Sequence, residues 1–347
     1  MSNLSVLVTT PRLDSPGGVS ELMRLLALNQ SQDIDYFEVQ SGGTFLKKVL
    51  FFTLIIPQFI VKILKKDCIH FNPSMNANSF WRDGFLLIIA KILSKRTVVY
   101  WHGWDKKFSA KLYKIRLLNY FFKLSFQRSS ATLVLGQVFK DELVSLGVDD
   151  STIQIIGNAA AIPDVSLRTR ELDPLRVLFL SRIEPGKGLD LVIRTIAELQ
   201  LILPVHLSVA GDGTLMDQMK SLSKEMLLND VRFHGHVKGK EKTELLLNSH
   251  LLFQPSSSEG MPLSMIESMF FELLIAAKPV GGIPDWVSQD HAILLNHDDP
   301  KLWANAIASR FHDKTKWEED VVFQCRFAHQ HLSPASLRER LFTIYQL

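Results

Sequence analysis

Two glutamates, Glu259 and Glu267, stand eight residues apart on either side of a turn rich in Ser and Gly. Glu259 falls in the loop, and Glu267 falls two turns into the apolar helix predicted to follow it. The N-terminus of a helix offers unpaired N–H groups and the positive end of a dipole, which suit a phosphate or a sugar oxygen. Carboxylates on both sides can accept hydrogen bonds from hydroxyl groups. The segment therefore predicts a site for a nucleotide sugar.

A second charged group lies in the Gly-rich loop after the predicted strand Arg176–Leu180. Arg182 and Lys187 emerge there just before a predicted helix. Two cations beside a helix N-terminus can bind a diphosphate and offset the charge that develops as it departs. The spacing is not that of a P-loop. Because single cations in loops are usually just solvated, this prediction gains weight only from the motifs that follow.

Small residues and a histidine follow several other predicted strands. They are Gly17 with Gly18, His102 with Gly103, Gly211 with Gly213, and Gly235 with His236 and Val237. Glycines permit close approach of a ligand and leave room for a planar base and ribose. A strand-end His102 either contacts a sugar hydroxyl or is satisfied by backbone groups, and both interpretations stay open. The Gly17–Gly18 pair by itself is also typical of a plain turn. The segment lacks the G-x-G-x-x-G pattern of dinucleotide-binding proteins, which argues against an NAD enzyme.

These residues are positioned by an alternation of short apolar strands and amphipathic helices. Such alternation predicts an α/β fold, in which parallel sheets are covered by helices on both faces. A polar linker at Thr169–Pro174 divides the chain into two doubly wound domains, residues 1–170 and 171–330. Ligands of such sheets bind at the carboxyl ends of the strands, so a cleft between facing domains is the expected site. The last helix, 331–347, is expected to pack back on the first domain.

In this order the motifs resemble those of the family 4 glycosyltransferases, which have the GT-B fold of two Rossmann-like domains facing across a cleft. The resemblance covers nearly the whole chain. It is carried by Gly17–Gly18, His102–Gly103, Gly157–Asn158, Ser181–Gly188, Gly211–Gly213, the pair Glu259 and Glu267, and Gly281–Pro284.

The resemblance implies a role for each motif. The cations Arg182 and Lys187 would bind the donor diphosphate, Glu267 the ribose, and Glu259 the transferred sugar, while His102 would sit beside the reacting centre. The remaining donor-binding positions are Gly17, Gly18, Gly211, Gly235, His236, Val237, Gly260, Met261, Pro262 and Leu263. The first domain, 1–170, would bind the acceptor, and the second, 171–330, the nucleotide sugar. Members are typically retaining and need no metal. One departure is the stretch Glu272–Ile275, where family members commonly carry a Gly-x-Pro-Val turn, so the geometry near Gly281 is expected to differ.

Basic charge is concentrated in two segments of the first domain, Lys47–Lys66 and Lys106–Ser130. Both interleave basic residues with large apolar ones and contain no acid. This pattern indicates contact with an anionic membrane surface. Helices that face the core and extend their lysines to water are the other interpretation. Nucleic acid is disfavoured, because no nucleic-acid motif accompanies the segments.

The resemblance thus implies a retaining transferase that uses a nucleoside-diphosphate sugar, most simply a UDP-sugar, and no metal cofactor. Its expected acceptor is a lipid-linked or lipopolysaccharide or capsule glycan at the inner face of the cytoplasmic membrane. A cytoplasmic location fits the two isolated cysteines, Cys68 and Cys325. Three alternatives remain: a transferase for soluble acceptors, a nucleotide-sugar epimerase of the same fold, and a catalytically silent protein that binds membranes.

Overall fold

The chain divides into two compact units, Met1–Ala159 with Pro334–Leu347, and Ala160–Ser333. The computed structural model describes residues 4–15, 17–39, 45–164 and 171–346, and only the backbone of residues 45–52. The first unit ends before the predicted boundary at residue 170 and includes the last helix of the chain. The predicted linker Thr169–Pro174 lies partly outside the described residues.

A parallel sheet forms the centre of the first unit. Its inner strands are buried, as expected for strands covered by helices on both faces, whereas the edge strands are partly exposed. The strands of this unit are β1 (Val6–Thr10), β2 (Ile34–Glu38), β3 (Cys68–Phe71), β4 (Ser74–Met75), β5 (Arg96–Tyr100), β6 (Gly103–Trp104), β7 (Ala131–Val134) and β8 (Ile153–Ile155). The main sheet has the order β2-β1-β3-β5-β7-β8, and β4 pairs with β6 alone. The order reverses between β1 and β3, where open sheets of this kind bind ligands.

The second unit contains a parallel sheet in the strand order of a Rossmann fold. Its strands are β9 (Leu175–Leu180), β10 (Val205–Ala210), β11 (Val231–Gly235), β12 (Leu251–Gln254), β13 (Leu274–Ala277) and β14 (Ile293–Leu294). The order is β11-β10-β9-β12-β13-β14. The reversal lies between β9 and β12, so loops that follow these two strands are brought side by side.

Helices connect the strands in both units. The first six are α1 (Gly18–Leu26), α2 (Phe45–Leu64), α3 (Ala77–Ile92), α4 (Lys106–Lys114), α5 (Arg116–Ser125) and α6 (Gln137–Ser145). Those that follow are α7 (Leu189–Leu199), α8 (Met216–Glu225), α9 (Gly239–Asn248), α10 (Leu263–Phe270), α11 (Ile283–Trp286), α12 (Pro300–His312), α13 (Lys314–His331) and α14 (Pro334–Gln346). Sequence periodicity missed α13, which crosses the predicted domain boundary at residue 330. Among the described residues, no helix combines the length and apolar character needed to cross a membrane.

The core of the second unit holds β9 and β12 in place. Helix α7 buries apolar residues at helical spacing and packs on α12. Trp303 of α12 is fully buried, its ring centroid lies 4.9 Å from that of Phe253 on β12, and its Nε1 donates to the carbonyl of His297 at 2.9 Å. A buried indole with its N–H satisfied combines apolar burial with a fixed orientation. The strand ends that carry the loops are therefore rigidly supported.

Helix α14 packs against α1 and the sheet of the first unit. Tyr345 Oη lies 2.6 Å from His70 Nδ1 on β3, and Arg96 Nη2 donates to the carbonyl of Ile344 at 2.8 Å. Arg340 Nη2 donates to the carbonyl of Ile155 at 2.9 Å. These contacts join α14 to strands β3, β5 and β8, so the end of the chain is part of the first unit.

A Schellman turn ends α10 even though the sequence lacks the expected glycine. The N–H of Leu273 donates to the carbonyl of Ser268 at 2.9 Å, and the N–H of Glu272 donates to that of Met269 at 3.1 Å. Glu272 adopts a φ of +55°, the left-handed conformation usual for glycine at this position. The departure noted at Glu272–Ile275 therefore changes the residue and keeps a helix-ending turn, and β13 follows directly.

We expect Glu272→Gly to raise the free energy of unfolding of the second unit by about 0.5 to 1 kcal/mol, because it removes left-handed strain at a small entropic cost. Chemical denaturation followed by circular dichroism measures the effect. Glu272→Ala is the matched control, since it removes the charge and keeps a Cβ. An equal gain in both variants would assign the effect to the charge rather than to φ.

Candidate functional site

The predicted loops of the second unit meet in an ion pair between Lys187 and Glu259. Lys187 follows β9 and Glu259 follows β12, the two strands at the reversal of the sheet. Lys187 Nζ lies 2.6 Å from Glu259 Oε1, with side chains 18% and 10% exposed. Arg182, at the start of the same loop as Lys187, is exposed. Two cations and a carboxylate are thus collected at the place where such sheets bind ligands.

Glu259 is oriented by a polar chain behind it. Gln254, the last residue of β12, donates from Nε2 to Glu259 Oε1 at 3.2 Å, and Ser264 Oγ donates to Gln254 Oε1 at 3.1 Å. Gln254 is 1% exposed. Neither Gln254 nor Ser264 was predicted as a site residue from the sequence. A polar residue at the end of an otherwise apolar strand is the signal that points to Gln254.

Positive φ angles allow the two loops to lie against each other. Gly186 has a φ of +85° and Gly188 a φ of +80°. The N–H of Ser257 donates to the carbonyl of Gly186 at 2.8 Å. A Cβ on Gly188 would lie 2.6 Å from the carbonyl oxygen of Pro255. The glycines therefore fix the distance across which Lys187 reaches Glu259, because other residues are strained at these angles.

Glu267, the second predicted glutamate, is paired with a lysine that the sequence analysis did not single out. Lys242 Nζ on α9 lies 2.6 Å from Glu267 Oε1 on α10. The side chains are 25% and 13% exposed. Lys242 is one of several charges on an exposed helix, so its position in the sequence carries no signal. The structure thus pairs each glutamate with a different lysine, and each carboxylate is held in a set orientation.

The N-terminus of α10 follows Glu259, and no described side chain caps it. Pro262 stands at the N-cap position and, as a proline, has no N–H to offer a ligand. Backbone donation there is limited to Gly260, Met261 and Leu263. The loop is held from the other side, because the N–H of Gly282 donates to the carbonyl of Gly260 at 2.8 Å. A Cβ on Gly281 would lie 1.8 Å from the carbonyl oxygen of Glu259.

The two glycine motifs at β10 and β11 differ in the room they leave. A Cβ on Gly211 would lie 1.8 Å from the carbonyl oxygen of Ser181, so this glycine serves close backbone packing. At Gly235 such a Cβ would meet no atom of the described residues within 4 Å, and the carbonyl accepts from the N–H of Gly211 at 2.7 Å. An added Cβ would therefore find open space at Gly235 and none at Gly211. Beside it, His236 is exposed and Val237 is buried.

In the first unit, the predicted Gly17–Gly18 turn opens α1. Gly17 is the N-cap of α1, with a φ of +148°, and no side chain in the described part of the chain caps the helix. A Cβ on Gly17 would meet nothing within 4 Å in that same part. The backbone at this helix N-terminus is thus open to approach by an anion or a hydroxyl.

His102 lies half-buried after β5, and its partner is a side chain. Its Nε2 lies 2.7 Å from Asn72 Oδ1, while Asn72 Nδ2 donates to the carbonyl of Thr9 at 2.9 Å. The amide orientation makes Oδ1 the acceptor, so His102 donates from Nε2. Burial lowers the pKa of His102 to about 3, against a smaller opposing effect of a hydrogen bond with Asn158. The imidazole is therefore neutral near pH 7, with Nδ1 as its basic nitrogen.

Within the part of the chain that the structure describes, no group of three or more His, Cys, Asp or Glu residues is arranged to hold a metal ion.

The sequence of the second unit matches a known family model. Residues 168–322 match "Glycosyl transferases group 1". The chain is also 27% identical over 166 residues to a phosphatidylinositol N-acetylglucosaminyltransferase component of Arabidopsis thaliana. That match covers 46% of this chain and 37% of the plant protein. The chain thus spans little more than a third of the length of this curated relative.

Solved structures are similar over the whole chain. The Anabaena protein Alr3699/HepE, in complex with UDP and glucose, superposes with a TM-score of 0.76 at 16% identity and covers 99% of this chain and 100% of its own. The lipopolysaccharide outer core galactosyltransferase WaaB in its apo form gives a TM-score of 0.72 at 12% identity and covers 99% of both chains. These similarities show the GT-B fold.

Acid is expected to destabilise the first unit through His102. Because its pKa is about 3 in the folded unit and about 6.5 when unfolded, the unfolded state binds more protons between these values, and stability falls as pH drops below about 6.5. The free energy of unfolding of wild type therefore has a slope against pH in this range, and we expect His102→Gln to reduce that slope by at most about 1.4 kcal/mol per pH unit. Denaturation at pH 7.0, 6.0 and 5.0 measures it, with His236→Gln at an exposed position as control. Equal slopes for wild type and His102→Gln would contradict the prediction.

Proposed function

We propose that the protein is a glycosyltransferase that moves a sugar from a nucleoside-diphosphate sugar, specifically a UDP-sugar, to a glycan acceptor. The observation that carries the proposal is the Lys187–Glu259 ion pair at the reversal of the second sheet. The UDP complex of the similar Anabaena structure supports the choice of donor. The family model over residues 168–322 supports the class of reaction.

The ion pair explains how donor binding would change the site. In the structure the ammonium group of Lys187 is paired with the carboxylate of Glu259. A diphosphate would draw the ammonium group away with a stronger charge-assisted bond, aided by the exposed Arg182. Glu259 would then be released to accept hydrogen bonds from the hydroxyls of the transferred sugar, with Glu267 on the ribose. Binding the donor thereby prepares the carboxylate that orients the sugar.

Charge stabilisation is proposed as the main source of catalysis. Arg182, Lys187 and the N-terminus of α10 would offset the negative charge that develops on the departing diphosphate, which makes a metal unnecessary. We further propose front-side attack with retention of configuration. His102 would contribute as a neutral group whose Nδ1 can accept a hydrogen bond from a hydroxyl.

The acceptor is proposed to be a lipid-linked, lipopolysaccharide or capsule glycan, met at the inner face of the cytoplasmic membrane. Helices α4 and α5 support this part of the proposal. Their buried faces include Phe121, Phe122 and Ser125. Large apolar residues also remain exposed on the other side: Tyr113, Ile115, Leu117, Tyr120 and Leu124. Exposed lysines and arginines accompany them: Lys106, Lys107, Lys111, Lys114, Arg116, Lys123 and Arg128.

Helix α2 repeats this combination. Leu54, Val61 and Leu64 are exposed beside Lys62 and Lys65, while Phe59 and Ile63 are buried. In the predicted segment Lys47–Lys66, the structure describes the side chains only from residue 53 onward. Both helical regions thus face the core on one side and expose apolar and basic groups on the other. Such a surface suits the boundary of an anionic bilayer.

Substitutions of the ion pair should have opposite effects on donor binding. Lys187→Ala is expected to weaken UDP binding by roughly 10- to 100-fold, the loss of one charge-assisted hydrogen bond. Glu259→Gln removes the competitor for Lys187 and should bind UDP at least as tightly as wild type, while sugar transfer falls by roughly 100-fold or more. Calorimetric titration with UDP and UDP release from a panel of UDP- and GDP-sugars measure both effects.

Lys220→Ala, at an exposed lysine of α8, is the control and should behave as wild type. Weak binding by both variants would contradict the exchange of partners at Lys187. If neither UDP nor GDP binds, the proposal that the protein is an enzyme is contradicted, and a catalytically silent protein that binds membranes is favoured. Turnover of the donor without an acceptor to an isomeric sugar nucleotide would identify an epimerase.

Membrane contact is tested by flotation with vesicles of phosphatidylglycerol and phosphatidylethanolamine. Leu117→Gln combined with Lys123→Glu is expected to reduce the bound fraction severalfold, since both apolar insertion and basic charge are lost. The matched control is Leu201→Gln combined with Lys220→Glu in the second unit, where Leu201 is 79% exposed and Leu117 is 70% exposed. Equal binding by the two double variants, or equal binding to neutral phosphatidylcholine, would count against the surface.

A further inference from the structure

Gln254 places a buried amide directly behind Glu259, the carboxylate proposed to bind the transferred sugar. It is the last residue of β12, where its backbone pairs with Ala277 of β13. A buried amide needs hydrogen-bond partners, because leaving it unsatisfied costs free energy. Both partners of this amide, Glu259 and Ser264, belong to the loop and helix that follow β12. The amide therefore joins the rigid end of a strand to the segment that carries the carboxylate.

The orientation of the amide is fixed by the chemistry of its two partners. An ionised carboxylate only accepts hydrogen bonds, so the NH₂ group of Gln254 must face Glu259, and its Nε2 lies 3.2 Å from Oε1. Ser264 Oγ then donates to the amide oxygen at 3.1 Å. A reversed amide would set its oxygen against a carboxylate oxygen, and neither atom could donate. Gln254 is thus held as a donor to Glu259.

Two donors share one oxygen of Glu259. Lys187 Nζ lies 2.6 Å from Oε1, and Gln254 Nε2 lies 3.2 Å from the same atom. Among the described residues, the other oxygen, Oε2, has no hydrogen-bond partner. The carboxylate therefore has one oxygen held from two sides, and its second oxygen is left for a ligand.

A diphosphate would act differently on the two donors. The ammonium group of Lys187 is charged and sits on a flexible stem, so it can move to the diphosphate. The amide of Gln254 is neutral and buried, and Ser264 holds it from behind, so it stays in place. Once Lys187 has moved, Gln254 is the remaining donor to Oε1 among the described residues. Without that donor the terminal torsion of Glu259, which is broad for a carboxylate, would no longer be fixed.

We propose that Gln254, itself held by Ser264, is a positioning residue that keeps the carboxylate of Glu259 oriented for the transferred sugar after Lys187 has moved to the diphosphate. This role rests on the proposed function, because it requires that Lys187 bind the diphosphate and Glu259 the sugar. Gln254 acts through Glu259, since its burial keeps it from direct contact with a ligand. Its loss should therefore impair the use of a UDP-sugar and spare the binding of UDP.

Gln254→Met keeps the length of the side chain and removes its N–H groups. We expect kcat/KM for the donor to fall by roughly 10- to 100-fold, the loss of one hydrogen bond to a charged group, while the affinity for UDP, which lacks the sugar, stays within about threefold. Release of UDP from the donor and calorimetric titration with UDP measure the two effects. Gln324→Met is the matched control, because Gln324 is also 1% exposed in the second unit and donates to the carbonyl of His291.

A double-variant cycle tests whether Gln254 acts through Glu259. In the Glu259→Gln background the carboxylate is absent, and adding Gln254→Met is expected to lower transfer by less than about twofold further. Equal losses in the two backgrounds would contradict the role, because they would reflect the packing of β12 rather than the orientation of Glu259. A loss of UDP affinity in parallel with transfer would contradict it as well.

Ser264 allows the same hydrogen bonds to be tested from a partly exposed position, where a substitution disturbs folding less. Ser264→Ala releases the amide and should lower kcat/KM by roughly 3- to 10-fold, whereas Ser264→Thr keeps the hydroxyl and should remain close to wild type. Activity equal to wild type in both Gln254→Met and Ser264→Ala would overturn the role of Gln254 alone. If wild type binds neither UDP nor GDP and turns over no donor, the proposed function fails, and the role of Gln254 fails with it.

Discussion

The ion pair between Lys187 and Glu259 depends on a constraint set by the order of the parallel strands. A parallel sheet that grows in both directions from β9 must place the ends of β9 and β12 side by side. Residues separated by 72 positions in the chain thereby come within 2.6 Å. Helices and core residues such as Trp303 serve to hold these two strand ends at a fixed distance. The chemistry of the site follows from that placement.

Close backbone packing is the second requirement, and glycines supply it. Gly188, Gly211 and Gly281 each lie where a Cβ would collide with a carbonyl oxygen of a neighbouring loop. Their positive φ angles let three loops stack at the carboxyl edge of the sheet. At Glu272 the chain accepts the same kind of angle without a glycine. The site is therefore built largely from backbone, with a few charged side chains added.

In the first unit, the surrounding side chains keep His102 neutral and fix the orientation of its ring. His102 is held by Asn72, and its ring lies 4.0 Å from that of Tyr100, whose hydroxyl donates to the carbonyl of Gly157 at 2.7 Å. His70 lies behind Tyr100, and burial lowers its pKa to about 3 as well. Helix α14 closes this network through Tyr345. An uncharged, preorganised set of donors and acceptors suits the handling of a neutral hydroxyl.

The sequence by itself determined the alternation of strands and helices and the loops that carry Arg182, Lys187, Glu259 and Glu267, because these depend on local periodicity and on residues next to strand ends. It also indicated Gly17 and Gly235 as candidate donor-binding positions. Only the tertiary structure decided which side chains meet: Lys242 for Glu267, Gln254 behind Glu259, and Asn72 for His102. It also assigned Gly211 to packing and α14 to the first unit. Such pairings join distant segments, and periodicity along a chain carries no information about which strands become neighbours.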